Sequence, residues 1–401
     1  MAFINSSFQN SLPLPLKLQF PIMPLDTGRY GCNPDFYLIE STVYLFQPLH
    51  DGTSINNNNP SSSRGWLVKF IQTVDGKLTL VNPLNNKTIQ VLQEDVPNNV
   101  LNLLDLHVSQ VCKSYHVQYF NKDHDLGRHP ASKILLNSTN DRAWSSTGTN
   151  NYFSLMAIHI RGHLCYIKSG DEKWTKLKDR SCKIVDIIVY KGNFYAVDRY
   201  GETIKFDSLL NETKVASMLH NIGGRKKRLV ESSGQLFLID MFLDVDHDRY
   251  PEFRHVIGHS GGKALKIKMY RLDEQQHEWT EVHTLGDRIF FAGDDCCFSV
   301  SSKDFGDGRG NCLYYTNGGI RMEILGKYGD RGSDHLFNES GDKYGDHLSQ
   351  KLVHKYKGLH GHNTGVFTIE DGKLGSLLSF LEYADIFWPP PSWLNREDQG
   401  I

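Results

Sequence analysis

The sequence predicts an all-β chain, and two recurrences carry that prediction. From Gly65 onward a short apolar run, a glycine-containing turn and an alternating run return repeatedly. A tryptophan-centred hexapeptide also recurs, at a distance that sets a repeat length. Helical periodicity is nearly absent. Only Leu101 to Val111 has apolar residues near helical spacing, and that stretch reads equally as loop plus strand.

The elements follow in order. Residues 1–34 hold Pro13, Pro15, Pro21, Pro24 and Pro34, a density that prevents regular helix and most strand pairing, so they read as an extended strap. Strand-like runs begin at Phe36-Tyr37-Leu38-Ile39 and Val43-Tyr44-Leu45-Phe46. A polar stretch from Asp51 to Ser63, with Asn56 to Asn59 consecutive, reads as a surface excursion.

Hairpins come next. Trp66 to Ile71 meets Asp75-Gly76, then Lys77 to Val81. Tyr152 to Ile160 meets Arg161-Gly162, then His163 to Ile167. Val185 to Tyr190 meets Lys191-Gly192, then Asn193 to Val197. Leu229 to Glu231 meets Ser232-Ser233-Gly234, then Gln235 to Ile239, and Val366 to Ile369 meets Asp371-Gly372. In each, glycine supplies the positive φ a tight turn demands.

The hexapeptides Glu172-Lys173-Trp174-Thr175-Lys176-Leu177 and His277-Glu278-Trp279-Thr280-Glu281-Val282 lie 279 − 174 = 105 residues apart. That is two units of roughly 50 residues, in the kelch range. Four-stranded units of that size predict a single β-propeller, each blade burying its faces against its neighbours, with about six blades after the strap. The domain reading is strap 1–34, propeller 35–394 and tail 395–401.

Bulk properties exclude several classes. Lys+Arg number 44 against Asp+Glu 46, so no global electrostatic footprint points to nucleic acid or to an anionic membrane. No apolar stretch approaches the roughly 18 residues of a membrane helix. Cys32, Cys112, Cys165, Cys182, Cys296, Cys297 and Cys312 are odd in number and form no C-x-x-C pair, which predicts a reducing compartment. Sequons at Asn5, Asn86, Asn137, Asn211 and Asn338 stand behind an N-terminus without a basic region or an apolar core. The expectation is an intracellular protein, cytoplasmic or nuclear, whose sequons stay unglycosylated.

Candidate chemistry resolves to structural readings. Asp244-Val245-Asp246-His247-Asp248 has the spacing of a calcium loop, but Arg249 stands where that loop needs glycine and His255 where it needs glutamate. His255, His259, His354, His360 and His362 lack the paired spacing of a zinc site. Gly306 to Gly310 leads into a strand, not the helix a phosphate loop requires. Arg225-Lys226-Lys227-Arg228 fits a nuclear import signal or an anion contact, but reads first as a solvated turn ahead of a strand. In Asp294-Asp295-Cys296-Cys297 the carboxylates oppose thiol activation, and strand alternation puts the two cysteines on opposite sides. Trp174, Trp279, Trp388 and Trp393 read as blade-packing residues. No catalytic, cofactor-binding or metal residue is assigned, the protein is expected not to be an enzyme, and partner-binding residues are not identified.

Several motifs resemble the plant F-box-associated family of KIB-type β-propellers. They are Arg64 to Lys69, Val81-Asn82-Pro83-Leu84, Asp186 to Asp198, Leu285 to Arg288, Phe291 to Val300, Arg309 to Tyr315 and Phe387 to Leu394. They are collinear and span roughly residues 12 to 394. The resemblance implies the substrate-recognition part of a Skp–cullin–F-box ubiquitin ligase. Its partners would be a protein client, with a Skp-type adaptor and cullin if an F-box is supplied. The expected Leu-Pro-x-Asp-Leu-Leu segment is missing, and Ser11 to Leu16 resembles the strap that follows an F-box. A stand-alone scaffold or decoy that binds the same client is the alternative. A hydrolase or lyase propeller would need a metal or clustered carboxylates at the ring centre, which the sequence does not offer.

Overall fold

A computed structural model describes residues 16–18, 35–48, 65–72, 76–86, 106–121, 124–128, 133–138, 153–159, 162–177, 183–219, 224, 226–243, 264–305, 310–316, 364–377, 380, 383 and 386–387. Asp51–Ser63, Asp244–Asp248, the histidines at 255, 259, 354, 360 and 362, Trp388 and Trp393 lie outside them.

The first sheet has ten strands: β1 (Leu16–Leu18), β2 (Asp35–Pro48), β3 (Trp66–Gln72), β4 (Leu78–Val81), β5 (Leu106–Asn121), β6 (His124–Arg128), β7 (Lys133–Ser138), β8 (Phe153–His159), β9 (His163–Lys168) and β10 (Thr175–Lys176). Its two halves, β4-β3-β2-β5 and β7-β8-β9-β10, are joined between β5 and β7 by the single pair Tyr115–Ile134. The second sheet is the meander β11 (Ile184–Tyr190), β12 (Asn193–Asp198), β13 (Thr203–Phe206) and β14 (Glu212–Ala216). The third repeats it with β15 (Lys226–Ser232), β16 (Gln235–Leu243), β17 (Ala264–Asp273) and β18 (Glu278–Val282).

The fourth sheet departs from the plain meander. It has five strands in the order β20-β19-β21-β22-β23, from β19 (Arg288–Ala292), β20 (Cys297–Ser301), β21 (Cys312–Thr316), β22 (Thr364–Thr368) and β23 (Leu374–Ser376). Here β19 and β21 are parallel, because β20 returns the chain to the start of β19 and, past a 3-10 turn at Ser302–Phe305, β21 begins at that same end on the other edge of β19.

The predicted hairpins are all present as antiparallel pairs: β3–β4, β8–β9, β11–β12, β15–β16 and β22–β23. At Lys191 (φ 47) and Gly192 (φ 73) two successive positive φ values make the turn whose twist matches its strands. The hexapeptide repeat is explained as well. Trp174 precedes β10 and Trp279 lies in β18, and β10 and β18 are the outer strands of units two apart. Leu106 to Val111 belongs to β5, so the strand alternative holds there. In the strap, Leu16–Leu18 pairs with β2, Leu16 opposite Leu38. That pairing was not expected of so proline-rich a segment, yet it falls between Pro15 and Pro21, where every residue keeps its N–H.

The inner strands β7, β11, β15 and β20 stand side by side in that sequence, and β20 also touches β5. The chain therefore closes on itself. Val43, Leu45 and Leu67 from the first sheet, with Leu84 from the turn after β4, share one core with Phe291, Phe298, Tyr314 and Phe387. Phe291 stacks between Phe298 at 4.6 Å and Tyr314 at 5.0 Å, and Leu67 bridges to Phe387. Each such side chain contributes about 1.5–3 kcal/mol on burial, so the closure is an apolar seam first.

Candidate functional site

Polar links between the inner strands accompany that seam, all near one end of the strands. The first is at the closure. Asp295, in the turn before β20, accepts from Lys69 Nζ at 2.9 and 3.0 Å and from Ser114 Oγ at 2.9 Å. Ser114 is hydrogen-bonded in turn to Ser41 Oγ at 2.9 Å. Burial lowers the pKa of Lys69, but the Asp295 carboxylate outweighs it and holds the ammonium above its usual range.

The second link joins three sheets. In β11 the pairing slips between Ile184 and Asp186, so Val185 is an extra residue that swings Asp186 inward. Asp186 Oδ1 takes Lys133 Nζ of β7 at 2.8 Å, and Oδ2 takes the Leu229 N–H of β15 at 2.7 Å. Lys133 is pulled down by burial and raised on balance by Asp186.

The third link lies within the third sheet. Lys227 donates to Asp240 Oδ1 at 2.7 Å and to the Gly224 carbonyl at 2.9 Å, while the Gly224 N–H donates to Asp240 Oδ2 at 2.9 Å. The fourth ties the third sheet to the fourth. Lys226 Nζ donates to the Thr316 carbonyl at 2.7 Å and to Thr316 Oγ1 at 3.2 Å, and Thr316 Oγ1 donates to Asp294 Oδ1 at 2.8 Å.

The described part of the basic cluster, Lys226 to Arg228, is thus strand and not a solvated turn. Lys226 and Lys227 are 8% and 0% exposed on β15, because neighbouring strands supply the carboxylate and carbonyl partners that make burial of an ammonium possible. Arg228 is half-buried; its Nη1 donates to the Lys227 carbonyl at 3.3 Å, and its Nε is buried without a partner.

The acidic–cysteine motif separates as alternation requires. Cys296 joins the closure core, and Cys297 packs on the other side against the core between the third and fourth sheets. The Cys296 thiol is held well above its usual pKa, first by its hydrogen bond with Cys112 and then by burial. Burial pushes Cys297 to about 12. Both stay neutral thiols at physiological pH, which opposes nucleophilic chemistry. Trp174 and Trp279 are packing residues, and Trp279 Nε1 donates to the Gly201 carbonyl at 2.9 Å. Gly310 leads into strand β21 and not into a helix, but β21 pairs with β19 and not with β20, so this connection is a crossover and not a hairpin loop; residues 306–309 lie outside the described ones. Among the described residues no group of three or more His, Cys, Asp or Glu side chains could hold a metal ion, and no helix is long and apolar enough to cross a membrane.

Lys69, Lys133, Asp186 and Asp240 were not singled out from the sequence. The available signal was a lone charge inside an apolar strand, as in Ile184-Val185-Asp186-Ile187-Ile188.

Successive antiparallel sheets whose inner strands adjoin, closed by a seam between the first sheet and the last, define a β-propeller. The family model described as the KIB1-4 beta-propeller matches residues 36–367. The chain belongs to that family. It is similar to the F-box protein SKIP23 of Arabidopsis thaliana, 29% identical over 98% of this chain and 88% of that one. It is also similar to the F-box protein At2g17036 of the same plant, 27% identical over 95% and 84% of the two chains. A third relative, the putative F-box protein At5g60060, is 30% identical over 79% of this chain and 80% of its own. A protein-interaction role related to F-box proteins follows from this kinship.

Proposed function

We propose that the chain is the substrate-recognition propeller of a Skp–cullin–F-box type ubiquitin ligase receptor, acting in the cytoplasm or nucleus and without catalysis of its own. The observation that carries this reading is the alignment with F-box proteins along nearly the whole chain.

In this reading the client binds at the end of the ring where Leu243 pairs with Ala264 and Thr316 with Thr364. Strands β16 and β17, and strands β21 and β22, are both joined at that end, beside the Lys226–Thr316 link, and the joins of a rigid scaffold are where recognition concentrates.

Affinity purification of the tagged chain from plant cells, with the proteasome inhibited, tests the reading by mass spectrometry of its partners. A Skp-type adaptor and cullin recovered with enriched clients is the expected result. Clients without adaptor would assign the scaffold or decoy role instead, and recovery of neither would overturn both.

A further inference from the structure

The polar links use their donors and acceptors unevenly. Lys69, Lys133 and Lys227 each meet a carboxylate at 2.7–2.9 Å. Lys226 is as deeply buried, yet its hydrogen bonds go to Thr316 alone, and an ammonium carries three donors. On the same strand Arg228 keeps its Nε buried and unpartnered. Its Nη1 reaches only carbonyls, of Lys227 at 3.3 Å and Val185 at 3.5 Å. Lys133 spends one donor on Asp186.

On the acceptor side, Asp186 has committed both oxygens, to Lys133 and to the Leu229 N–H. Asp294 already accepts from Thr316 Oγ1. Lys226 and Lys133 both stand within electrostatic reach of Arg228 and of the Asp186 carboxylate, and Asp294 adds a second carboxylate beside Lys226. The burial and the Arg228 charge together drive Lys226 down to about 8, the behaviour of a cation lacking its counter-charge.

We propose that the inner strands of this propeller hold a small tetrahedral oxoanion, of the phosphate or sulfate class, between Lys226, Arg228 and Lys133. Arg228 is half-buried where Lys226 and Lys133 are buried, and its guanidinium presents adjacent N–H groups in the fork that matches two oxygens of such an anion. Lys226 supplies its unused donor from β15 and Lys133 from β7, so the anion ties the third sheet to the first alongside Asp186. The site is independent of which client the propeller binds.

The test uses the full chain in chloride buffer, titrated with sodium phosphate while ionic strength is held constant with sodium chloride. Calorimetry and thermal melting are the readouts. Saturable binding at one site, with a rise in melting temperature of several degrees over the chloride control, is expected. Arg228→Gln changes a half-buried side chain, and its melting in chloride reports whether the fold survives. In that variant phosphate affinity drops at least tenfold, and Lys226→Met abolishes it. Equal stabilisation by chloride at the same ionic strength would reduce the effect to screening and overturn the site. Undiminished phosphate binding by Arg228→Gln would overturn it as well.

Discussion

Lys133 and Asp186, in different sheets, form an ion pair at 2.8 Å that is almost wholly withdrawn from solvent, and the second carboxylate oxygen caps a backbone N–H in a third sheet. A buried pair of this kind adds little stability relative to a well-packed apolar pair, but removing one partner strands the other. Asp186→Ala leaves both the Lys133 ammonium and the Leu229 N–H unpaired, so it should cost about 3–5 kcal/mol. The double change Lys133→Met with Asp186→Leu should recover much of that loss. Urea unfolding of the three variants checks it; equal losses in the single and double variants would deny the pair its role.

Two glycines separate turn strain from close approach. A Cβ at Gly192 meets nothing within 4 Å, so Gly192→Ala costs only the positive-φ strain, about 1–2 kcal/mol. A Cβ at Gly224 stands 2.2 Å from the Met241 carbonyl oxygen and 2.7 Å from Asp240 Oδ1. Gly224→Ala must therefore displace the backbone that completes the Lys227–Asp240 link, and should cost several times more. Thermal melts that ranked the two in the opposite order would refute the assignment.

The fold was legible because its signals are local. Lys191-Gly192 and Ser233-Gly234 name their hairpins through backbone conformation alone, and the two tryptophan hexapeptides mark equivalent outer strands. The polar links were not legible, because their partners are far apart in sequence. Lys69 meets Asp295 across 226 positions, and nothing near Lys69 announces it. The basic cluster misled for a related reason. A run of four cations looks solvated until the strand alternation sends Lys227 to Asp240 and Lys226 to Thr316. The five-stranded fourth sheet was hidden too, since the parallel pair β19–β21 depends on a crossover that leaves no hairpin signature.

Trp279 ties its sheet to the preceding one by more than packing. Its Nε1 donates to the Gly201 carbonyl at 2.9 Å while its ring lies buried in the core between those sheets. Trp279→Phe keeps most of the apolar area and loses the hydrogen bond, a change of about 1–2 kcal/mol. Trp279→Ala empties the site and should cost about 3–5 kcal/mol. Denaturant midpoints for the two variants check the ordering, and a Phe variant as damaged as the Ala variant would show the hydrogen bond to dominate.

Lys226 makes the fold's stability depend on pH in the alkaline range. Its pKa is about 8 in the folded chain, against 10.5 as its reference value. Between those values the unfolded chain binds more protons, so this residue's contribution to stability rises with pH. Below pH 8 the charged ammonium is buried at a cost on the order of 3 kcal/mol, and the cost fades as pH approaches 10.5. The charged neighbours are Arg228, Asp294 and Asp186, with the Cys297 thiol beside them. Lys69 and Lys133 are shifted upward instead, so their pairs hold through this window. Cys297, at about 12, contributes equally to wild type and variant and cancels in their difference. In chloride buffer free of phosphate and sulfate, Lys226→Met should therefore compare most favourably with wild type below pH 8, and the difference should shift toward wild type by about pH 10. Unfolding free energies measured every half pH unit report this directly. Parallel curves for the two proteins would mean that Lys226 stays charged throughout, with its counter-charge already in place.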